Sequence, residues 1–232
     1  YAETCADKYS FDREAQDAYA ISSLKKAQAA IQSGAFSSEI TPVEVAQRGG
    51  TVTIDTDEQP MKARFDKIPQ LRPAFRKDGT VTAANASSIS DGAAAVVLMR
   101  QSEATKRGLT PLARIVAHTS HAQEPSEFTM APIGAIGSLL AKTGWDKDAV
   151  DLFEINEAFA VVPMAAIESL ELDAAKVNVN GGACALGHPI GCSGTRIVVT
   201  LLAALANHGK KRGIASLCIG GGEATALAVE LI

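Results

Sequence analysis

Cysteine is scarce in this chain: Cys5, Cys184, Cys192 and Cys218 are the only thiols in 232 residues. Four are too few to staple a fold of this length, which argues against a disulfide scaffold and for a reducing intracellular compartment. Lysine and arginine form no dense tract and the formal net charge is −4, so a nucleic-acid surface is not expected. No uninterrupted apolar run reaches the roughly 18 residues of a membrane span. No GxGxxG opens a helix, and Gly220-Gly221-Gly222 lacks the lysine of a phosphate loop, so the dinucleotide and nucleotide-hydrolysis signatures are missing. An initiator methionine and a leader pattern are missing too. The chain starts at Tyr1, in what reads as a helix already in progress, and is taken as a portion of a longer protein whose targeting is undecided. With 47% apolar and 21% charged residues, it has the composition of a globular protein. Its length suits one large or two ordinary domains with a sizeable core.

Glycine-rich turns, by contrast, are abundant where regular elements end. Between Val177 and Gly222 the chain reads VNVNGGACALGHPIGCSG, a long apolar stretch, then ASLCIGGG. An apolar strand (Val177–Asn180) meets a double glycine. His188 follows between Gly187 and Pro189, and a second glycine turn (Gly191 to Gly194) leads into a helix over Thr195–Asn207. A strand over Gly213–Cys218 then delivers Cys218 into three glycines. Glycines let a backbone approach a ligand closely, and loops on a rigid scaffold concentrate chemistry.

Upstream, a helix is expected from Ser10 to Gly34, with Ser10 or Asp12 capping its start and Gly34 its end. Glu39–Val45 alternates as a short strand. Residues 47–80 carry glycine, proline and acidic punctuation and read as an ordered surface excursion. Their basic residues (Arg48, Lys62, Arg64, Lys67, Arg72, Arg76, Lys77) form either a solvated face or a site for an anionic group. Ala93–Met99 reads as a buried strand, Gln101–Gly108 as a short helix and Leu112–Ala117 as a strand. A helix over Pro132–Thr143 ending at Gly144, a strand over Asp151–Asn156 and a helix over Glu157–Leu170 follow. A final glycine-joined pair, Gly213–Cys218 with Thr225–Leu231, closes the chain. The order β-α-β-α-β-α-β-β predicts an α/β domain whose sheet is largely parallel with one antiparallel strand.

Three positions stand out chemically. His188 is a structural or exposed histidine on one reading. On the other, Gly187 and Pro189 fix a neutral imidazole as base or oxyanion donor. Cys218 is a small core residue or, beside the backbone N–H groups of the glycines, an acid/base thiol whose ionisation a neighbouring imidazole would ease. Asn156, in Asn156-Glu157-Ala158-Phe159, caps a helix or points from a strand end into the crevice of an α/β sheet. His118, His121 and His208 have no comparable setting. Cys184 and Cys192 flank His188, but not at zinc-ligand spacing, so no metal site is expected.

Together these stretches resemble the thiolase family, in particular acetyl-CoA acetyltransferases and related 3-ketoacyl-CoA thiolases. The resemblance rests on NEAF from Asn156, VNVNGG from Val177, GHPIG from Gly187 and CIGGG from Cys218. LRPAF from Leu71, DGTVTAANAS from Asp78 and DGAAA from Asp91 extend it over essentially the whole chain in colinear order. It implies a thiolase fold. Residues 1–80 would be part of the CoA-covering loop region and residues 81–111 the end of the N-terminal half, including its last strand near Ala93–Met99. Residues 112–232 would be the C-terminal βαβαβαββ half. It implies that His188 activates a nucleophilic cysteine and donates to a thioester oxygen, and that Cys218 moves the proton at the acetyl carbon. Asn156 would hold the water that completes one oxyanion hole, and the Gly220 N–H would serve the other. Phe75, Ser87, Ile89, Ala158 and Phe159 would line the CoA path, with Ser193 close behind the histidine loop. Phe128-Thr129-Met130-Ala131-Pro132 departs from the family's Met-Gly-x-Gly-Pro loop, and Met61 stands where short-chain enzymes often place an arginine.

The implied activity is reversible Claisen condensation of two acetyl-CoA to acetoacetyl-CoA and CoA, through an acyl-cysteine on an N-terminal part of the same enzyme. CoA is substrate and product, and no cofactor is implied. The implied partners are these thioesters, that N-terminal part and further copies in a homodimer or homotetramer, with no nucleic acid or membrane; the expected location is the cytoplasm. The alternatives are a longer-chain degradative 3-ketoacyl-CoA thiolase and a catalytically incomplete polypeptide that needs an N-terminal partner. A condensing enzyme acting on carrier-protein substrates is disfavoured, because by family resemblance those enzymes use histidine where Cys218 stands.

Overall fold

The structure is a computed structural model that describes residues 1–232. Its first helix, α1 (Ala2–Tyr9), ends at Ser10 in the left-handed conformation. Ser10 therefore closes one helix, and Asp12 starts the next. In α2 (Arg13–Ser33) the Asp12 carboxylate accepts from the Ala15 N–H, and Gly34 ends the helix at φ 73°, the geometry that favours glycine at this position. Small residues on α2 (Ala20, Ala27, Ala30) are buried with Leu24, which lets its backbone lie close to the chain beneath.

The surface excursion holds a two-stranded hairpin, β1 (Val43–Gln47) and β2 (Gly50–Ile54), exposed on both faces. A short helix, α3 (Glu58–Lys62), and a 3-10 turn over Phe65–Gln70 follow. The expected strand over Ala93–Met99 is absent: these residues form no ladder, and Val97 and Leu98 are exposed. A strand exists through its partners, and no segment of residues 1–232 pairs with this one. The helix α4 (Gln101–Lys106) comes next.

The remaining chain builds one sheet. It holds β3 (Ala113–Ala122), β4 (Leu152–Ile155), β5 (Arg212–Ile219) and β6 (Glu223–Leu231) in the order β3-β6-β5-β4. β6 is antiparallel to both β3 and β5, and β4 is parallel to β5. Three strands thus run one way and β6 against them, as the glycine-joined hairpin required. One expected strand is lost here: after a 3-10 turn at Ala174–Lys176, only Val177 bridges to Phe153. Asn178 turns at φ 46° and ends the pairing.

Side-chain alternation gives the sheet two apolar faces. On one, Phe153, Ile155, Ile214 and Cys218 pack with Ile136 and Leu139 of α5 (Ala131–Thr143) and Val162 and Ala166 of α6 (Val161–Leu170). On the other, Leu152 and Ala215 meet Ile197, Leu201 and Leu205 of α8 (Ile190–Asn207). The result is three layers, helices on both sides of the sheet. The helix α6 begins at Val161, not Glu157, which frees Asn156–Ala160 as an irregular strand-end segment. Likewise α8 begins at Ile190, so Gly191 to Gly194 form its first turn, not a loop before it; Pro189 sits just outside its start, where its missing N–H costs nothing. The helix α8 is long and apolar enough to cross a membrane by composition, but here it lies on the sheet. A four-residue helix, α7 (Ala183–Leu186), precedes it.

Candidate active site

The strands β4 and β5 run in parallel, so residues just past their carboxyl ends share one crevice. The Asn156 N–H donates to Ser216 O at 2.9 Å, which carries the ladder one step beyond β4. This rejects Asn156 as a helix cap, since no helix starts there. Alternation sends Glu154 and Asn156 toward α8. Glu154 lies 3.6 Å from Arg196 on that helix, and Asn156 Nδ2 lies 3.3 Å from His188 Nε2.

His188 is held on three sides. Its N–H donates to Ser88 O at 3.0 Å. Gly187, at φ 86°, is pressed so closely on Ser90 that any Cβ would collide with its hydroxyl. Ser193, one turn into α8, donates its hydroxyl to Pro189 O at 3.0 Å and therefore accepts from His188 Nδ1–H, 2.6 Å away. That assigns the proton to Nδ1 and leaves the Nε2 lone pair facing the Asn156 amide. Burial, with Arg196 adding to it, lowers the His188 pKa, so the ring is neutral at pH 7. The second atom of the Asn156 amide, Oδ1, is buried without a partner.

Cys218 reaches the crevice from the opposite face of the sheet. It belongs to the apolar core with α5 and α6, and burial pushes its thiol up to about 12. Cys218 makes no hydrogen bond to His188, and burial, not an imidazole, is the largest influence on its ionisation. The resting thiol is protonated. Beyond it, the Gly220 N–H is exposed and makes no hydrogen bond within the chain. Gly222 anchors this turn, at φ 106°, with its carbonyl accepting from Gln123 N at 3.0 Å, and leaves Gly220 free to donate.

The positions expected along a CoA path fall into one strip. Ser87 N and Oγ both donate to Ala158 O, at 3.1 and 3.0 Å, and Ala86 bridges Phe159. Phe75 meets Phe159 edge to face with centroids 6.2 Å apart. Ile89 stands apart from these contacts, its side chain 98% exposed.

Among the basic residues of 47–80, Lys62 pairs with Glu58, Arg64 and Lys67 with Asp66, and Arg76 with Asp7 and Glu3. These four form the solvated face of the two readings. No group of three His, Cys, Asp or Glu side chains converges as metal ligands would.

One site residue escaped the sequence reading. Glu157, within the NEAF motif, is completely buried and receives four hydrogen bonds. The available signal was a carboxylate directly before the apolar run from Ala158 to Met164, with no basic residue nearby in the sequence to pair with it.

Residues 1–102 match the family description "Thiolase, N-terminal domain" and residues 109–231 "Thiolase, C-terminal domain". The chain is 52% identical over 229 residues to a probable acetyl-CoA acetyltransferase of Dictyostelium discoideum, covering 98% of this chain and 55% of that protein. It is 52% identical over 231 residues to an acetyl-CoA acetyltransferase of Thiocystis violacea, covering 99% and 59%. Among solved structures, the Bacillus anthracis acetyl-CoA acetyltransferase superposes with TM-score 0.96 at 45% identity, over 100% of this chain and 59% of that one. A thiolase from Ascaris suum in complex with coenzyme A gives 0.94 at 46%, with the same coverage. The chain spans under three-fifths of the length of these relatives. With both family halves matched in order and a fold superposing throughout, the chain belongs to the thiolase family.

Proposed function

We propose that the protein carrying this chain is an acetyl-CoA C-acetyltransferase, which interconverts acetoacetyl-CoA plus CoA and two acetyl-CoA. The nucleophilic cysteine lies outside these residues in this reading. Cys5 and Cys184 are buried, and burial pushes both thiols up, Cys5 to about 11. Neither is poised to attack.

In thiolysis the nucleophilic thiol gives its proton to His188 Nε2, and its sulfur adds to the keto carbonyl of acetoacetyl-CoA. Nε2–H then faces the developing oxyanion, where a preorganised donor is most effective. The carbon–carbon bond breaks, and the departing acetyl-CoA enolate takes the Cys218 proton. Cys218 regains a proton from His188 Nε2–H by way of water, and when CoA attacks the acetyl-enzyme its thiol proton passes through the again neutral His188 to the departing nucleophilic sulfur. Asn156 Oδ1 needs a donor, and a water held there serves the thioester oxygen beside His188. The Gly220 N–H serves the other oxygen. CoA is substrate and product, and none of these steps calls for a metal or organic cofactor. Phe75, Ser87, Ala158 and Phe159 line its approach, and Ile89 is placed at its solvent end.

The observation that carries this reading is the His188–Asn156 pair, 3.3 Å apart with Nε2 unprotonated, at the same end of the sheet as the Cys218 strand end. It is tested by thiolysis of acetoacetyl-CoA with the full-length protein. His188→Ala and Cys218→Ala are each expected to lose about 10²–10⁴-fold in turnover while staying folded; near-normal turnover in either removes the assignment. Activity on longer 3-ketoacyl-CoA esters, equal to that on acetoacetyl-CoA, would favour a degradative thiolase instead. Residues 1–232 alone are expected to be inactive. The working form proposed is a cytoplasmic homodimer or homotetramer, open to size-exclusion and fractionation measurements.

A further inference from the structure

Glu157 is fully buried and forms no ion pair, which costs a carboxylate heavily unless its oxygens are hydrogen-bonded. Both are. Oε1 accepts from Tyr19 OH at 3.1 Å and Asn178 Nδ2 at 2.9 Å. Oε2 accepts from Ser23 OH at 2.7 Å and the Cys184 N–H at 3.0 Å.

These donors belong to segments far apart in sequence. Tyr19 and Ser23 lie on α2. Asn178 exchanges hydrogen bonds with the Ile155 backbone, both at 2.8 Å, one residue before Asn156. Cys184 lies on α7, which leads through Gly187 to His188. The Ser23 hydroxyl also accepts from Gly182 N at 2.9 Å. Gly182 touches the carboxylate so closely that no Cβ fits.

We infer that Glu157 is a positioning residue that fixes the Asn156–His188 pair, by tying α2, the end of β4 and the turn before the histidine to one carboxylate. It touches neither member's reacting atoms. It holds the backbone on both sides of their 3.3 Å contact. Misplacing a reacting group by about 1 Å can cost about 100-fold in rate, so rigidity here has a kinetic consequence. The activity arm of the test rests on the proposed thiolase reaction; the spectroscopic arm does not.

The test uses Glu157→Gln in the full-length protein. An amide sets its NH2 group against partners that all donate to the carboxylate, two of them N–H groups that cannot accept, while keeping shape and volume. Turnover in acetoacetyl-CoA thiolysis is expected to fall about 10–100-fold, with KM for CoA changed less than about threefold. In ¹⁵N-histidine-labelled protein, the His188 Nε2 resonance, identified by its loss in His188→Ala, is expected to shift as its contact with Asn156 loosens. Ser23→Ala and Tyr19→Phe each remove one donor and should move both readouts in the same direction by less. They keep the test decisive if Glu157→Gln does not fold. An unchanged His188 resonance and wild-type turnover in the folded variants overturn the positioning role, whatever the reaction. Absence of thiolysis in the parent protein, with a shifted resonance in Glu157→Gln, would retain the positioning role and reject the proposed reaction.

Discussion

The two sides of the crevice are built on opposite principles. The His188 side is polar and wired: Ser193 and Asn156 contact the ring nitrogens, Ser88 holds the His188 backbone N–H, and Glu157, one layer back, ties down the segments that carry them. The Cys218 side is apolar: the thiol is one more small residue in the core under α5 and α6. Hydrogen bonds define a tautomer and leave the neutral Nε2 ready to accept a proton. Burial defines a protonation state and keeps the thiol from ionising. One sheet provides both environments because alternate residues at the ends of parallel strands face different helical layers.

That contrast can be broken in three places. The largest effect concerns the thiols. With its pKa near 12, Cys218 should react with iodoacetamide at pH 8 at least about 100-fold more slowly than a free thiol of pKa about 8.5. Mass mapping of the alkylated residue measures this, and rapid modification would mean that a cation or imidazole reaches Cys218 after all. Next, Ser193→Ala removes the acceptor that fixes Nδ1–H. Turnover should drop about 10-fold or more while Cys218 alkylation stays unchanged; a change in both would show that the two sides are coupled.

The smallest effect is on stability. Burial raises Glu154 to about 8, outweighing Arg196, and Glu39 to about 7. A carboxyl whose folded pKa is raised stabilises the fold at low pH, below its unfolded value, and loses that contribution as pH rises through its folded value. Melting temperature should therefore fall between pH 5 and 8. Glu154→Gln should flatten that fall, and an unaltered slope would show Glu154 to be ionised against Arg196. Cys218 contributes no slope in this window, because its thiol is protonated in both states below about pH 8.5.

The legible parts of the sequence were those governed by local rules. Asp12 and Gly34 bound α2, and Gly144 ends α5, as capping chemistry requires. The glycine-joined β5–β6 hairpin was equally plain. What failed depended on distant partners. Ala93–Met99 is as apolar as any strand, but apolarity does not make a ladder. Val177–Asn180 alternates correctly, yet Asn178 spends its side chain on Ile155 and turns away. Gly191 to Gly194 read as a loop, although Pro189 outside the helix start and apolar packing beyond Arg196 favour helix. His188, Asn156 and Cys218 stood out in the sequence through their glycine and strand-end context. Their relation did not, because it depends on which face of the sheet each one occupies. Glu157 was hidden for the same reason: its four donors come from residues 19, 23, 178 and 184.

The proposed division of labour between Cys218 and His188 is tested most directly by proton exchange at carbon. Full-length protein incubated with acetyl-CoA in D₂O should wash deuterium into the acetyl methyl group, as mass spectrometry of the thioester would show. Cys218→Ala should lose that exchange and still form the acetyl-enzyme, because His188 and the nucleophile are untouched. Wild-type deuterium incorporation by Cys218→Ala would contradict the assignment of the carbon-bound proton to Cys218.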